Sequence, residues 1–390
     1  MTDPAVAMSV ILGLIASGDA VTRPALARET GLSPSTVEAH LETLRRHRLI
    51  APGGPAARVG RGRPAGTFVI GGDVCVIAAI SITAGHVELA VMTLGQCCLA
   101  YEKYDSAIAD GPQVVLGALQ ERLRAMLSSL TETRLLVISI GLPGPVDSHR
   151  GIPVRPPIMP GWDEYPVAGE FTEEFGCLTV VDNDVNLMAL GESRALPADE
   201  LPLLYVKVGT GIGGGLVTAD GKLHRGAHGA AGDIGHIRVL SDNHRVCSCG
   251  NVDCLEAVAS VAAMARALGE EQEVPELGQE DLIAAVRTGD PSATRIVRLG
   301  ASILGEAAAS LVHLYNPARI SLGGPLTAAS DDLLAGVRAV VYQRALPLAT
   351  RNLTLSHSVL GQEAAIVGAS VAAIDAVLSA RFIRERLRGA

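Results

Sequence analysis

Lys207-Val-Gly-Thr-Gly-Ile-Gly-Gly-Gly215 packs five glycines into seven positions, between a β-rich run at 203–208 and another at 216–218. Glycines so placed read as a loop joining two strands. Without Cβ atoms, the backbone N–H groups of such a loop can approach an anion closely, which makes Gly209, Thr210, Gly211, Gly213 and Gly214 candidate phosphate-loop residues. A tight hairpin is the plainer alternative.

Strands and helices alternate on either side, so the surrounding chain is an α/β body. Runs 74–82 and 87–94 are β-rich around Gly85, 114–130 has the spacing of an amphipathic helix, and 135–140 and 178–181 read as buried strands. A long helical stretch covers 281–314, a strand covers 319–322, and a helix at 364–388 closes the chain. Val181-Asp-Asn-Asp184-Val-Asn186 ends a strand with two carboxylates and two amides. Such groups orient sugar hydroxyls, and one carboxylate could deprotonate an attacking hydroxyl. An Asx-rich turn capping the next helix would look the same.

Cys247-Ser-Cys249-Gly-Asn-Val-Asp-Cys254-Leu-Glu256 is the strongest local chemical signal. Three thiolates within eight residues, with His236 and His244 upstream, supply the soft ligands of a tetrahedral structural zinc site. Four protein ligands leave no open position for water, which argues against catalytic zinc. The seven cysteines favour a metal site in a reducing compartment over a disulfide framework. Cys75, Cys97, Cys98 and Cys177 are expected to be buried thiols.

A length of 390 residues implies two or three folded units, and a composition 48% hydrophobic but only 3% aromatic implies an interior of Ala, Val, Leu and Ile. The N-terminus lacks the features of a secretory signal, and no uncharged apolar run reaches membrane-spanning length, so a cytoplasmic protein with no membrane partner is expected. Residues 1–70 hold eight Arg against five acids, which leaves −12 of the net charge of −9 on the rest. A basic end on an acidic body suits a nucleic-acid-binding module.

That end also has helical punctuation. Apolar residues recur at helical spacing over 6–16; Thr22 can cap a helix running to Gly31; and Ser33 can cap a third, with Pro34 in its first turn and Val37, Leu41 and Leu44 inward. Two short helices across a Gly turn form a helix-turn-helix, with Ser33, Ser35, Thr36 and His40 near the start of the helix that would enter the major groove. Two strands around Gly60-Arg61-Gly62-Arg63-Pro64 would add a wing placing Arg61 and Arg63 in a minor groove. A helical bundle for protein contacts and a solvated linker are the alternatives.

Taken in order, these pieces resemble the ROK family (repressors, open reading frames and sugar kinases) along nearly the whole chain. The matching stretches are Gly141-Leu-Pro-Gly-Pro-Val-Asp147, Asp182-Asn-Asp-Val-Asn186, 209–215, Gly229-Ala-Ala-Gly-Asp-Ile-Gly-His236, the cysteine cluster with Glu256, and Asn316-Pro-Ala-Arg-Ile-Ser-Leu-Gly-Gly324. The resemblance implies a two-lobed, actin-like (ribonuclease H-like) sugar-kinase fold with sugar in the cleft between lobes. It implies zinc on His236, Cys247, Cys249 and Cys254, and sugar contacts from Asn183, Asp184, Asp233, His236 and Glu256. The expected division is a winged helix-turn-helix at 1–70, a first lobe at 71–185 joined by the closing helix 364–390, and a second lobe at 186–363 with the zinc site.

The sequence departs from the family's kinases where they carry an Asp-x-Gly-x-Thr phosphate loop. Here that position reads Ser81-Ile-Thr83-Ala-Gly85-His86, without the Asp and the first Gly. Loss of a metal-organising carboxylate, and a Cβ where phosphate must approach, should disable transfer. Asp233 stands where the family usually has Glu, and Ile158 where Asn is common. The expectation is a transcriptional regulator of carbohydrate metabolism, a repressor, with a double-stranded operator, a sugar or sugar-derivative effector, and a homodimer or tetramer. No catalytic residue is expected, and 209–214 would be a vestigial nucleotide loop. The alternative is an ATP-dependent sugar kinase with an added DNA-binding domain, Asp184 serving as base. A constitutive DNA binder, its cleft kept only as a dimerisation scaffold, is a third reading.

Overall fold

Each of the three N-terminal helices, Pro4–Ser17, Arg23–Thr30 and Pro34–Arg46, opens on a side chain that accepts a hydrogen bond from its first turn. Asp3 takes the Ala5 N–H at 2.8 Å, Thr22 that of Ala25 at 3.4 Å, and Ser33 that of Thr36 at 3.1 Å. A proline stands in each first turn, where its missing N–H leaves no bond unmade. The chain then forms an antiparallel pair, Ile50–Pro55 with Gly66–Ile70, in register Ile50 to Ile70 and Ala51 to Val69. These elements come from a computed structural model that describes residues 3–55, 66–71, 74–130, 132–241 and 244–388.

The chain divides into two compact units, Met1–Ile140 with Pro166–Val181 and Ala369–Ala390, and Gly141–Tyr165 with Asp182–Gly368. The first holds a five-stranded sheet in the order Cys98–Asp105, His86–Thr93, Cys75–Ile82, Arg134–Leu142, Leu178–Asn183. Cys75–Ile82 is buried along its whole length. One apolar cluster joins Ile11, Leu12, Leu26, Leu41 and Leu44 of the N-terminal helices to Ile77 and Val137 of the sheet and to Val377, Phe382 and Ile383 near the C-terminus. The N-terminal helices therefore share the core of the first unit.

The second unit holds a four-stranded sheet in the order Ile212–Val217, Leu203–Val208, Arg319–Gly323, Thr354–His357. The first pair is antiparallel and the other two are parallel. Leu204, Val206 and Val208 face one core together with Leu304, Ile320, Leu322 and Val337. Leu203 and Tyr205 face the other side, against Val185, Met188 and Ala189 of the helix Asp184–Ala195.

Several sequence expectations change. The presumed loop at 209–215 is mostly strand, because Gly213, Gly214 and Gly215 pair with Lys207, Val206 and Tyr205. Their lack of side chains serves packing: a Cβ on Gly215 would collide with the Ala189 methyl and lie 2.8 Å from the Val185 carbonyl oxygen. The stretch 281–314 is two helices, Gln279–Arg287 and Pro291–Tyr315, parted where Gly289 takes φ 78° and Asp290 caps the second through Ala293 N–H at 2.8 Å. The closing helix likewise breaks at Ser379, whose hydroxyl accepts the Phe382 N–H at 3.2 Å. Cys98–Asp105, an edge strand of alternating exposure, had no counterpart in the expectation. Of the four supposedly buried thiols only Cys75 is buried; Cys97 and Cys98 are exposed in and after a tight turn, and Cys177 is half-buried. Pro291–Tyr315 and Gly361–Leu378 have the length and mean hydropathy of membrane spans, but the former turns Val297, Leu304 and Val312 into the core of its unit.

Gly215→Ala is expected to destabilise the protein by about 1–3 kcal/mol through overpacking, read as a lower denaturation midpoint; an unchanged midpoint would contradict the contact described.

Candidate functional site

Asn183 caps the helix Asp184–Ala195, its Oδ1 accepting the N–H groups of Val185 at 2.9 Å and Asn186 at 3.3 Å, while its Nδ2 donates to the Gly144 carbonyl at 2.9 Å. This cap aims the helix's first turn into a cavity of about 150 Å3. Asn183, Asp184, Asp233, His236 and Glu256, the five expected sugar contacts, all line it. So do Lys207, Thr210, Gly211, Gly213, Gly214, Ile158 and Ser248. Every lining residue belongs to the second unit. Gly209 is not among them.

Two buried carboxylates at the start of this helix, of which only Asp184 lines the cavity, are held differently. Asp182, buried, takes the Arg225 guanidinium at 2.8 Å and the Asn186 amide at 2.8 Å. Asp184, also buried, accepts the Val185 N–H at 2.8 Å on Oδ1 and the Lys207 ammonium at 2.5 Å on Oδ2. Glu256 accepts the Ile212 N–H at 3.1 Å, and Gly211 is glycine because a Cβ there would strike the Glu256 carboxylate. Asp233 is about half exposed, with His236 Nε2 at 4.0 Å.

Beside the cavity, one ring nitrogen of His236 and the sulfurs of Cys247, Cys249 and Cys254 lie within 4.8 Å of one another. The His236 Nδ1 to Cys247 separation is 3.6 Å and Cys249 to Cys254 is 3.7 Å. Tetrahedral zinc with sulfur at about 2.3 Å sets sulfur–sulfur edges of roughly 3.8 Å, so the donor set fits such an ion. Burial pushes the Cys254 thiol up to about 12, whereas the Asn251 backbone N–H pulls the Cys249 thiol down. Metal coordination would offset that burial by stabilising the thiolate. Of the two candidate histidines, His244 turns away, largely exposed and 3.4 Å from buried Asp253.

In the first unit, the stretch matching the kinase phosphate loop is a closed hairpin. The Thr83 hydroxyl donates to the His86 carbonyl at 2.9 Å and accepts the His86 N–H at 3.0 Å. His86 in turn reaches Glu88, which its hydrogen bond and then Lys103 hold down at about 2, well below the carboxylate range. At the N-terminus, the Ser33 hydroxyl is engaged with Ser35 at 2.9 Å and Thr36 at 2.8 Å, and partial burial lowers the pKa of His40. Arg61 and Arg63 lie outside the described residues.

A family model described as "ROK family" matches residues 77–376. The chain belongs to the ROK family. A glucokinase of Halalkalibacterium halodurans is 32% identical to this ROK protein over 268 residues, 65% of this chain and 80% of the glucokinase. The xylose repressor of Caldicellulosiruptor bescii is 25% identical over 385 residues, 95% of this chain and 96% of the repressor. A crystal structure of a ROK family transcriptional regulator, homologous to the Escherichia coli MLC protein, superposes with a TM-score of 0.84 at 25% identity, covering 99% of both chains. The body accordingly has the family's mixed α/β, sugar-kinase-type fold.

One cavity residue, Lys207, is not singled out by the sequence. It flanks the glycines, and strand alternation puts it on the face of Leu203 and Tyr205, toward Asp184. Asp182 and Asp184 stand two apart in one polar motif, and only the fold separates the Arg225-paired carboxylate from the one that lines the cavity.

The purified protein is expected to hold about one metal ion per chain by plasma mass spectrometry, and Cys254→Ser to lose it along with several degrees of melting temperature. A wild-type protein free of metal after chelator-free purification would contradict the assignment.

Proposed function

We propose that this ROK protein is a DNA-binding transcriptional repressor of carbohydrate metabolism, released or engaged by a sugar or sugar derivative in the cavity, and that it does not transfer phosphate. The observation that carries this is the N-terminal head of three capped helices and a strand pair. Matches to the repressor and the regulator run through it, while the glucokinase match covers 65% of the chain.

In this reading residues 1–70 are a winged helix-turn-helix. The helix Pro34–Arg46 enters the major groove with Ser35, Thr36 and His40 near its start, and Ser33 holds its first turn. Arg61 and Arg63 serve as the wing's minor-groove cations. The two lobes follow the compact units, so that 141–165 and 182–185, expected in the first lobe, belong with the second, and the closing segment joins the first from Ala369. Asn183, Asp184, Asp233, His236 and Glu256 bind the sugar; His236, Cys247, Cys249 and Cys254 hold structural zinc. His236 joins the two sites, because a metal on Nδ1 fixes the ring whose Nε2 lies nearest Asp233. The protein acts in the cytoplasm as a homodimer or tetramer, since paired half-sites suit a symmetric reader. The hairpin at Thr83–His86 and the Lys207 ammonium held against Asp184 speak against phosphotransfer.

The second reading, a sugar kinase with a DNA-binding head and Asp184 as base, is favoured by the survival of Thr210, Gly211, Gly213 and Gly214 along the cavity and by the likeness of the body to a glucokinase.

Fluorescence anisotropy on palindromic fragments from upstream of neighbouring sugar genes tests the first reading. Affinity is expected to fall about 10³-fold or more between 50 and 200 mM salt, as for a protein making six or more phosphate contacts, and to change with sugar; a flat salt response would rule out phosphate-based docking. Chelation of the metal should abolish the sugar response. In a coupled assay with ATP, magnesium and a hexose panel no turnover is expected, and Asp184-dependent turnover would reinstate the kinase.

A further inference from the structure

Arginines of the first unit are unevenly paired. Arg23, Arg28 and Arg45 of the N-terminal helices, and Arg381 and Arg384 of the last helix, each hold a carboxylate. Arg46, Arg48, Arg134 and Arg386 hold none among the described residues, and they converge on one corner. His47, which ends the helix Pro34–Arg46, shares a small cavity with Arg386 beneath Met8, Leu44, Leu49 and Ile383. Burial lowers the pKa of His47, and the charges of Arg386, Arg46 and Arg134 lower it further. Burial raises the Cys75 thiol against the charges of Arg386, Arg134 and Arg48, and that thiol donates to the Arg48 carbonyl at 3.2 Å. Arg46, Arg48 and Arg134 are exposed, whereas Arg386 is half-buried, with Nε and Nη2 hidden and without an acceptor. Like charges this close repel, and a half-hidden guanidinium with unmatched N–H groups adds a desolvation cost. Among the described residues no carboxylate offsets either effect, so the corner suits an anion from outside.

We propose that this corner takes the phosphate backbone of duplex DNA, so that Arg134 of the sheet and Arg386 of the last helix, both outside residues 1–70, are DNA contacts. The inference rests on the repressor reading above, in which Pro34–Arg46 lies in the major groove. That helix has 13 residues and is therefore about 20 Å long. While its start meets base edges, its far end, continued by Arg48 at a left-handed φ of 60°, reaches the flanking backbone, as the end of the reading helix does in homeodomains. Arg134 and Arg386 stand beside that end. Three exposed guanidiniums around a fourth match a line of phosphates better than one small anion, which an enclosed site would hold. Contacts of this kind carry no sequence information, but they fix the register of the protein on the duplex and extend the grip beyond the head.

Fluorescence anisotropy of the full-length protein on the palindromic fragments and on a scrambled duplex, each over a salt series, tests the idea. Arg134→Gln and Arg386→Gln are each expected to lower the slope of log affinity against log salt by about one, and the double variant by about two, with the same factor of affinity lost on both duplexes. Arg386→Lys should keep the wild-type slope, which a role confined to packing would not require. Arg124→Gln, which removes an equal charge from a pair with Glu174, should leave the slope unchanged. A wild-type slope in the double variant overturns the inference and leaves the repressor reading intact. So does a loss confined to the palindromic fragments, which marks base reading, or calorimetric binding of inorganic phosphate that the variants abolish while the DNA slope stays put. Arg134 is exposed, so its variant keeps the test open should Arg386→Gln fail to fold. A wild type that binds neither duplex overturns both readings.

Discussion

A strand without side chains is the constraint on which the second unit is built. Gly213 and Gly215 let the helix Asp184–Ala195 lie against Ile212–Val217 at contact distance, while Gly214 admits Gly232 and Ile234 on the other face, and that approach sets the position of the helix's first turn. Asn183 and Asp184 belong to that turn, and Lys207 lies across from Gly213 in the neighbouring strand, so the closest packing in the sheet and the polar floor of the cavity are one feature. Glu256 is registered by the same strand through the Ile212 N–H. The glycines that look like an anion loop thus perform a second task, bringing backbone and carboxylate together where a methyl group would hold them apart.

The metal cluster extends this order outward. Its four donors sit on the segment that begins at Asp233 and ends at Glu256, both cavity residues, so a closed coordination sphere would fix both ends of that segment. Coordination also answers an electrostatic difficulty, since burial raises the Cys254 thiol while a backbone N–H lowers that of Cys249. One divalent ion can draw all three sulfurs to the same charge state.

Much of this was legible in the sequence, and the omissions have physical causes. Caps announce themselves in single residues, so Thr22, Ser33 and Gly31 marked their helices correctly. The spacing of Cys247, Cys249 and Cys254 is local, and the structure brings the three together with His236, the histidine that the family resemblance implies, while His244 turns away. Breaks inside long apolar stretches were harder. Gly289-Asp290-Pro291 and Ser379 interrupt helices whose hydrophobic spacing continues on both sides, so periodicity hides a cap that the side-chain oxygen reveals. The strand Cys98–Asp105 was invisible because it lies at a sheet edge, where Tyr101, Lys103 and Asp105 face outward and Glu102 interrupts the half-buried face. The partnership of Lys207 with Asp184 joins residues 23 apart and follows only once strand and helix are known to face each other.

The continuous core of the first unit carries a further consequence. Leu26, Leu41 and Leu44 of the N-terminal helices share one apolar cluster with Ile77 and Val137 of the sheet and Phe382 and Ile383 of the last helix, while the Ser9 hydroxyl donates to the Leu378 carbonyl at 2.6 Å. A reader of DNA mounted this way is no detachable cassette. Exchanging the N-terminal helices for those of a relative would transplant half of a jigsaw, because Phe382 and Ile383 belong to the same core.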